Sequence, residues 1–339
     1  MLTAAGCPGA PTLIRMLRAN GEREVRLVGT DARPDAAGRF LCDAFSVVPP
    51  AASEEYIGAL AAVVERERPE VLLVQSSAEV GPVAAARAVF QALGARPLVA
   101  SPAAIALCND KALTHAALAG SGVRQPQALV PDDLEAFVGA CERLGYPDAP
   151  VCFKPPVSKG SRGFRVLRAG LDHAATILRE RPGSVEMTLD EAVAAFRDLE
   201  PFPRLLVMEY VEGPEHTVDA LTANGAIVLC QVKTREAVAN GLAMSFRTVA
   251  RPDLVAAAGE ACRILGLDWF VNAQFKGDAL LEVNPRVSTF VYQEEFILPY
   301  LGIKYALGEL DPGDLPAIQA RVRTSRRTLR YHDQLFWDE

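Results

Sequence analysis

The chain has 339 residues, half apolar and 23% charged, which excludes a disordered segment and leaves room for two or three cores. A formal net charge of −7 argues against a general nucleic-acid surface. No apolar run approaches the ~18 uncharged residues of a membrane span, and the opening Met-Leu-Thr-Ala-Ala-Gly lacks the regions of a signal peptide, so cytoplasm is the expected compartment.

Residues 1–105 alternate strand and helix signals. Gly6-Cys7-Pro8-Gly9 closes a short apolar start and precedes a helical pattern at 12–17. Strand signals follow at 25–29, with Asp31 just beyond, and at 45–48. A helix at 54–68 leads into Val71-Leu72-Leu73-Val74, the uninterrupted apolar run of a buried parallel strand. A helix over 81–93 and the run Leu98-Val99-Ala100 complete the pattern. Such alternation predicts an α/β doubly wound parallel sheet. Ligands of these sheets lie at the carboxyl ends of strands, here residues 6–9, Asp31 and 75–79.

Ser101-Pro102 starts a helix predicted over 102–119, which carries Asn109-Asp110-Lys111 and stops at Gly120-Ser121-Gly122. A helix over 132–144 precedes a strand at 151–154 that ends in Lys154. A loop rich in Gly, Ser and basic residues then leads to a second strand at 165–167. This loop, 158–163, offers an anion its backbone N–H groups together with Ser158, Lys159, Ser161 and Arg162, and turns at Gly160 and Gly163. It lacks GxxxxGK[ST] and is no Walker A loop. Arginine outnumbers lysine 29 to 6, yet Lys111, Lys154 and Lys159 all fall near these phosphate-like segments. A compact ammonium suits a phosphate as a point charge.

Residues 184–203 read as an insertion with its own helix. A strand from 205 reaches Glu209-Tyr210-Val211 and an acidic turn, Glu212-Gly213. Strands at 216–221 and 226–230 meet at Asn224-Gly225, a type I′ turn signal, and a helix spans 253–265. The arginine-rich tail alternates like a final strand. The expected division is 1–105, 106–204, 205–310 and 311–339. Seven scattered cysteines without CxxC, and four histidines without metal spacing, argue against zinc or a disulfide framework.

The most informative stretch is 272–286. Two strand-like runs flank Gly277-Asp278, a hairpin signal. Glu282 and Asn284 are two apart and share one strand face, offering the hard oxygen ligands that Mg²⁺ prefers. Pro285 ends the pairing and Arg286 follows. Gln274 joins that face only if the loop is odd-membered, with a bulge at Gly277 or Asp278.

Together these pieces resemble the ATP-grasp superfamily, nearest to the carbamoyl-phosphate-synthase-like branch of carboxylate–amine ligases. The resemblance covers the chain to about residue 310. It implies a pre-ATP domain followed by two α+β subdomains that clasp ATP. It implies Lys111 and Lys154 on the phosphates, and Glu209, Tyr210 and Val211 along the adenine edge. Glu215 falls on the ribose, and Gln274, Glu282 and Asn284 on one or two Mg²⁺ or Mn²⁺ ions. Arg286 falls beside the γ-phosphate, with Lys154 the second candidate for a catalytic role. The implied activity is formation of an acyl phosphate from a small carboxylate, attacked by an amine, with release of ADP and phosphate. The alternatives are a carbamate or carboxylate kinase and a non-catalytic nucleotide sensor. Partners are the carboxylate and amine substrates, with no nucleic acid and no membrane, and a homodimer is compatible with the pattern. The chain departs from the family in two ways. It lacks the Gln-Val-Glu-His signature of biotin carboxylases, and it has one ATP-binding half where carbamoyl-phosphate synthases carry two.

Overall fold

Apolar strands alternating with helices can bury both sheet faces only by winding helices onto each side, and the first hundred residues do so. The computed structural model describes residues 1–158, 160, 162–172, 178, 185–239, 242–287, 293–331 and 333–337. Strand β1 (Val28–Asp31) pairs in parallel with β2 (Ala44–Val47), and β3 (Val71–Leu72) with β4 (Arg96–Pro97). The chain start joins the two pairs, because Leu2 bridges Gly29 on one side and Leu73 on the other. The helix Ala10–Arg18 feeds Leu13, Ile14 and Leu17 into one core, and Tyr56–Glu67 feeds Leu60, Val63 and Val64 into another. The helix expected at 81–93 is two short ones, Val80–Ala85 and Arg87–Ala92. At the junction the Arg87 guanidinium reaches the carbonyls of Val99 and Ala100.

The helix expected over 102–119 is also divided, into Pro102–Asn109 and Lys111–Ala117. Asp110 breaks it by taking an extended backbone and accepting from the N–H groups of Ala112 and Leu113, at 2.9 and 3.1 Å. That is the N-cap preference of aspartate overriding helix continuation. A five-stranded sheet follows, built from β5 (Ala128–Leu129), β6 (Val151–Lys154), β7 (Arg165–Leu167), β8 (Glu186–Met187) and β9 (Leu206–Glu209), in the order β5-β9-β6-β7-β8. Phe137, Phe153, Phe196 and Phe202 pack edge to face beneath it.

The last sheet contains β10 (Glu215–Ala223), β11 (Ala226–Thr234), β12 (Ala237–Ala239), β13 (Leu242–Val249), β14 (Trp269–Lys276) and β15 (Ala279–Asn284). Their order is β12-β13-β11-β10-β14-β15, and β16 (Arg327–Leu329) pairs with β13. Asn224 and Gly225 both take positive φ, 50° and 76°, as a type I′ turn requires. One face carries Val218, Ala220, Val232, Val271, Ala273 and Phe275 into the core with helix Pro252–Leu265. The other face changes character along its length. Leu221, Leu229 and Phe270 at one end are covered by helix Leu298–Leu307. Towards the other end come Thr217, Asp219, Gln231, Lys233 and Asn272, all buried and all polar. Among the described residues no helix is long and apolar enough to cross a membrane.

Gly302 sets how closely the helix lies on that sheet, since a Cβ built there would run into the Phe270 ring. Gly302→Ala should therefore lower unfolding stability by ~1–3 kcal/mol, despite the better helix propensity of alanine. Urea denaturation checks this, and a stabilised variant would contradict the packing.

Candidate active site

The β14–β15 hairpin decides which side chains face the cleft. Lys276 pairs with Ala279 and Phe275 with Leu280 around a two-residue Gly277-Asp278 turn, Gly277 having φ 59°. The register then shifts, so that Gln274 faces Glu282 and Asn272 faces Asn284. Leu281 is the extra residue of a β-bulge. The sequence demanded an odd residue to bring Gln274 and Glu282 together, and placed it in the turn at Gly277 or Asp278. It lies beyond the turn, because the glycine accommodates a tight two-residue turn without help.

Three cations surround Glu282. Lys111 Nζ lies 3.8 Å from its Oε2 and donates to the Ser158 carbonyl at 3.0 Å. Lys111 is held there by the helix break, which frees its backbone N–H to bond Pro156 O at 3.0 Å. Lys154 sits at the buried end of β6, and Arg286 follows β15. Burial resists ionisation of Glu282. Lys154 and Lys111, the hydrogen bond from Asn284 Nδ2 (3.0 Å) and Arg286 outweigh it and hold the carboxyl below its ordinary range. Burial pushes the Lys154 ammonium below its usual value, with Glu282 opposing and Lys111 reinforcing the shift. Burial likewise lowers Arg286, against the pull of Glu282.

Arg286 connects this centre to the first domain by donating through Nε to Ser77 Oγ at 2.6 Å. The other strand-end loops lie near it. Asp31 accepts from the backbone N–H groups of Gly6 (2.7 Å) and Arg33 (3.0 Å), and Glu79 accepts from Thr3 Oγ1 (2.7 Å). Gln75 is buried, and its Oε1 has no hydrogen-bond partner among the described residues. Burial raises Cys7 to about 11, so it is a thiol and no nucleophile at neutral pH.

The linker 209–214 crosses between the two later sheets. Glu209 ends β9, and the Tyr210 N–H donates to Pro150 O at 3.3 Å. Tyr210 Oη meets Lys276 Nζ at 3.0 Å, with the ammonium also 4.3 Å from the ring centroid. Val211 follows, and Gly277 N–H donates to Pro214 O at 2.9 Å. Glu215 opens β10, and its carboxylate lies 3.3 Å from Arg235 Nε. In the glycine-rich loop, Ser158 Oγ donates to Pro155 O at 3.1 Å, and Gly160 and Gly163 take positive φ. A Cβ on Gly163 would lie 2.6 Å from Pro155 Cδ, so the loop's return path admits only glycine. Lys159 and Ser161 lie outside the described residues.

Beneath these groups runs a network whose function the sequence did not disclose. Lys233 Nζ and Asn272 Nδ2 each reach Asp219, at 2.5 Å. Asn272 Oδ1 accepts from Gln274 Nε2 at 3.2 Å, and Gln274 Oε1 accepts from Arg235 Nη1 at 3.1 Å. Burial drives both Asp219 and Lys233 toward their neutral forms, each opposed by its partner. A signal was available: polar residues at 217 and 219, at 231, 233 and 235, and at 272 and 274 recur every second position, the period of one strand face. Cross-strand partners some 50 residues away were not readable from it.

Lys111 thus joins the glycine-rich segment on one α+β sheet, through the Ser158 carbonyl, to Glu282 beside Asn284 on the other. Comparisons with known proteins bear on the fold. The family described as "ATP-grasp in the biosynthetic pathway with Ter operon" matches residues 201–328. The carbamoyl phosphate synthase large chain of Gemmatimonas aurantiaca is 26% identical over 270 residues, 73% of this chain and 22% of that protein. The chain thus spans about a fifth of the length of this relative. Biotin carboxylase from Campylobacter jejuni, solved with an ATP analogue, superposes with a TM-score of 0.64 at 18% identity, covering 93% of this chain and 72% of that one. N5-carboxyaminoimidazole synthetase from Staphylococcus aureus, solved with ADP, gives 0.62 at 13% identity over 92% and 77%. The chain thus has the fold of these proteins, and its residues 201–328 match the ATP-grasp family.

Replacing Lys233 alone strands a buried carboxylate. Lys233→Met should cost ~3–5 kcal/mol of stability, and adding Asp219→Leu should recover most of it. Denaturant melts of both variants check this, and a loss under ~1 kcal/mol for the single change would show that the pair does not hold the wall.

Proposed function

We propose that the chain is an ATP- and Mg²⁺-dependent ligase that activates a small carboxylate for attack by an amine. The observation carrying this reading is the convergence on Glu282 of Lys111, Lys154 and Arg286, from three separate segments, with Asn284 on the same strand face. ATP brings about four negative charges, and phosphoryl transfer depends on positioning and neutralising them. Lys111 and Lys154, with Ser158, Gly160 and Gly163 beside them, would hold the phosphates and help exclude water from the reaction. Glu209, Tyr210 and Val211 line the crossing where the adenine edge fits, with Glu215 at its ribose end.

The donor set suits a divalent ion at Glu282 and Asn284. Both are hard oxygen ligands on one face, and Asn284 directs its NH₂ to Glu282 and leaves Oδ1 for the ion. A bound Mg²⁺ neutralises phosphate charge and polarises the γ-phosphoryl group. Arg286, tied to Ser77, sets the carboxylate substrate between the first domain's strand-end loops and the γ-phosphate. The carboxylate oxygen attacks phosphorus as the bond to ADP breaks. The amine then attacks the acyl carbon, loses a proton and expels phosphate. Arg286 stabilises the charge that develops at each stage.

ADP release measured across carboxylates, with and without amine acceptors, tests the reading. Turnover that needs both partners supports ligation, whereas turnover with carboxylate alone turns the assignment to a kinase. Lys154→Met should reduce kcat by ~100-fold or more. Glu282→Gln with Asn284→Ala should abolish turnover while retaining most adenine affinity, measured by binding of a fluorescent nucleotide. An unchanged rate in the double variant would refute the metal assignment.

A further inference from the structure

The carbonyl oxygen of Gln274, opposite Glu282, is the candidate ligand for a second ion, and the hydrogen-bond network commits it elsewhere. Asp219 Oδ1 can only accept, whether the proton shared with Lys233 sits on the amine or on Oδ2. Asn272 must therefore present its NH₂ to Asp219 and its oxygen to Gln274. Gln274 must then donate through Nε2, which turns Oε1 the other way. Waiting there is Arg235, a group that can only donate and stays charged in proteins. The amide orientation thus follows from the chemistry of its neighbours, independent of how its atoms are assigned. Arg235 is itself anchored: its N–H donates to Glu215 O at 2.9 Å and its Nε lies 3.3 Å from the Glu215 carboxylate. A divalent ion on Gln274 Oε1 would sit against this fixed guanidinium, with Glu282 the sole carboxylate among the three metal candidates.

We propose that the nucleotide site takes a single divalent ion, held by Glu282 and Asn284, and that the Arg235 guanidinium holds the place of a second beside Gln274. Arg235 is a positioning and charge-compensating group, anchored by Glu215 and bonded to Gln274, whose orientation the Asp219–Asn272 contact sets. The inference rests on the nucleotide-binding reading above and concerns only the number of ions.

The test counts Mn²⁺ per bound β,γ-imido-ATP on the full chain, with free Mn²⁺ read by electron paramagnetic resonance and nucleotide counted separately. The expected result is one ion per bound nucleotide at saturation. Gln274→Glu alone should leave the count at one, since the new carboxylate pairs with Arg235. Combining Arg235→Met with Gln274→Glu should raise it to two, with the spectral signature of neighbouring Mn²⁺ ions. Two ions on the unaltered chain, or on Gln274→Glu alone, would overturn the inference while leaving nucleotide binding intact. Absence of nucleotide binding under these conditions would overturn both readings.

Discussion

One extra residue in β15 governs the cleft. Leu280 and Val283 are three apart and both point into the core, an arrangement that strand alternation forbids unless a residue is inserted between them. Leu281 is that residue. Without it, the register of the turn would carry on unbroken, Gln274 would face Leu281, and either the core or the cleft would receive the wrong set of side chains. Apolar burial on one face therefore enforces the polar constellation on the other. The hydrophobic core and the proposed metal site are two readings of a single register.

The charges around that constellation are balanced with little to spare. Lys111, Lys154 and Arg286 outnumber the one carboxylate among them, so the free site is electropositive and suited to a polyanion. The deeper layer is arranged differently. Asp219 and Lys233 neutralise each other out of water, and Asn272 satisfies the carboxylate's second oxygen. A buried pair of this kind contributes little net stability, but it fixes the direction of every amide above it. Specific orientation is what the sheet gains from carrying a polar face that water does not reach.

Much of this was legible in the residues. Asn224-Gly225, the apolar runs of the first domain and the two-residue spacing of Glu282 and Asn284 are local signals, and local physics decides them. The ATP-grasp resemblance followed from motif order. What escaped the sequence depends on partners far along the chain. Asp110 read as an interior helix residue because its capping role shows only once Lys111 is drawn to Pro156. The bulge was inferred but misplaced, since both the turn and the strand could absorb one residue. Nothing local in the sequence sets Arg235 or Asp219 apart. Their roles come from cross-strand register, which brings residues 219, 235 and 274 together from three strands or strand ends.

Tyr210 touches both later sheets, bonded through its backbone to Pro150 and through its hydroxyl to Lys276. Beside it the chain presses on the hairpin turn so closely that a Cβ on Gly213 would lie 3.3 Å from Gly277. The crossing thus packs backbone on backbone, with no side chain between them to cushion it, and such a contact can serve as a pivot. Points near a pivot sweep short arcs and distant points sweep long ones. A small rotation of one sheet on the other would leave the 209–214 crossing nearly still while displacing the parts farthest from it the most. In the proposed reading, the same joint would steady the adenine end of a nucleotide and leave the phosphate end the wider swing.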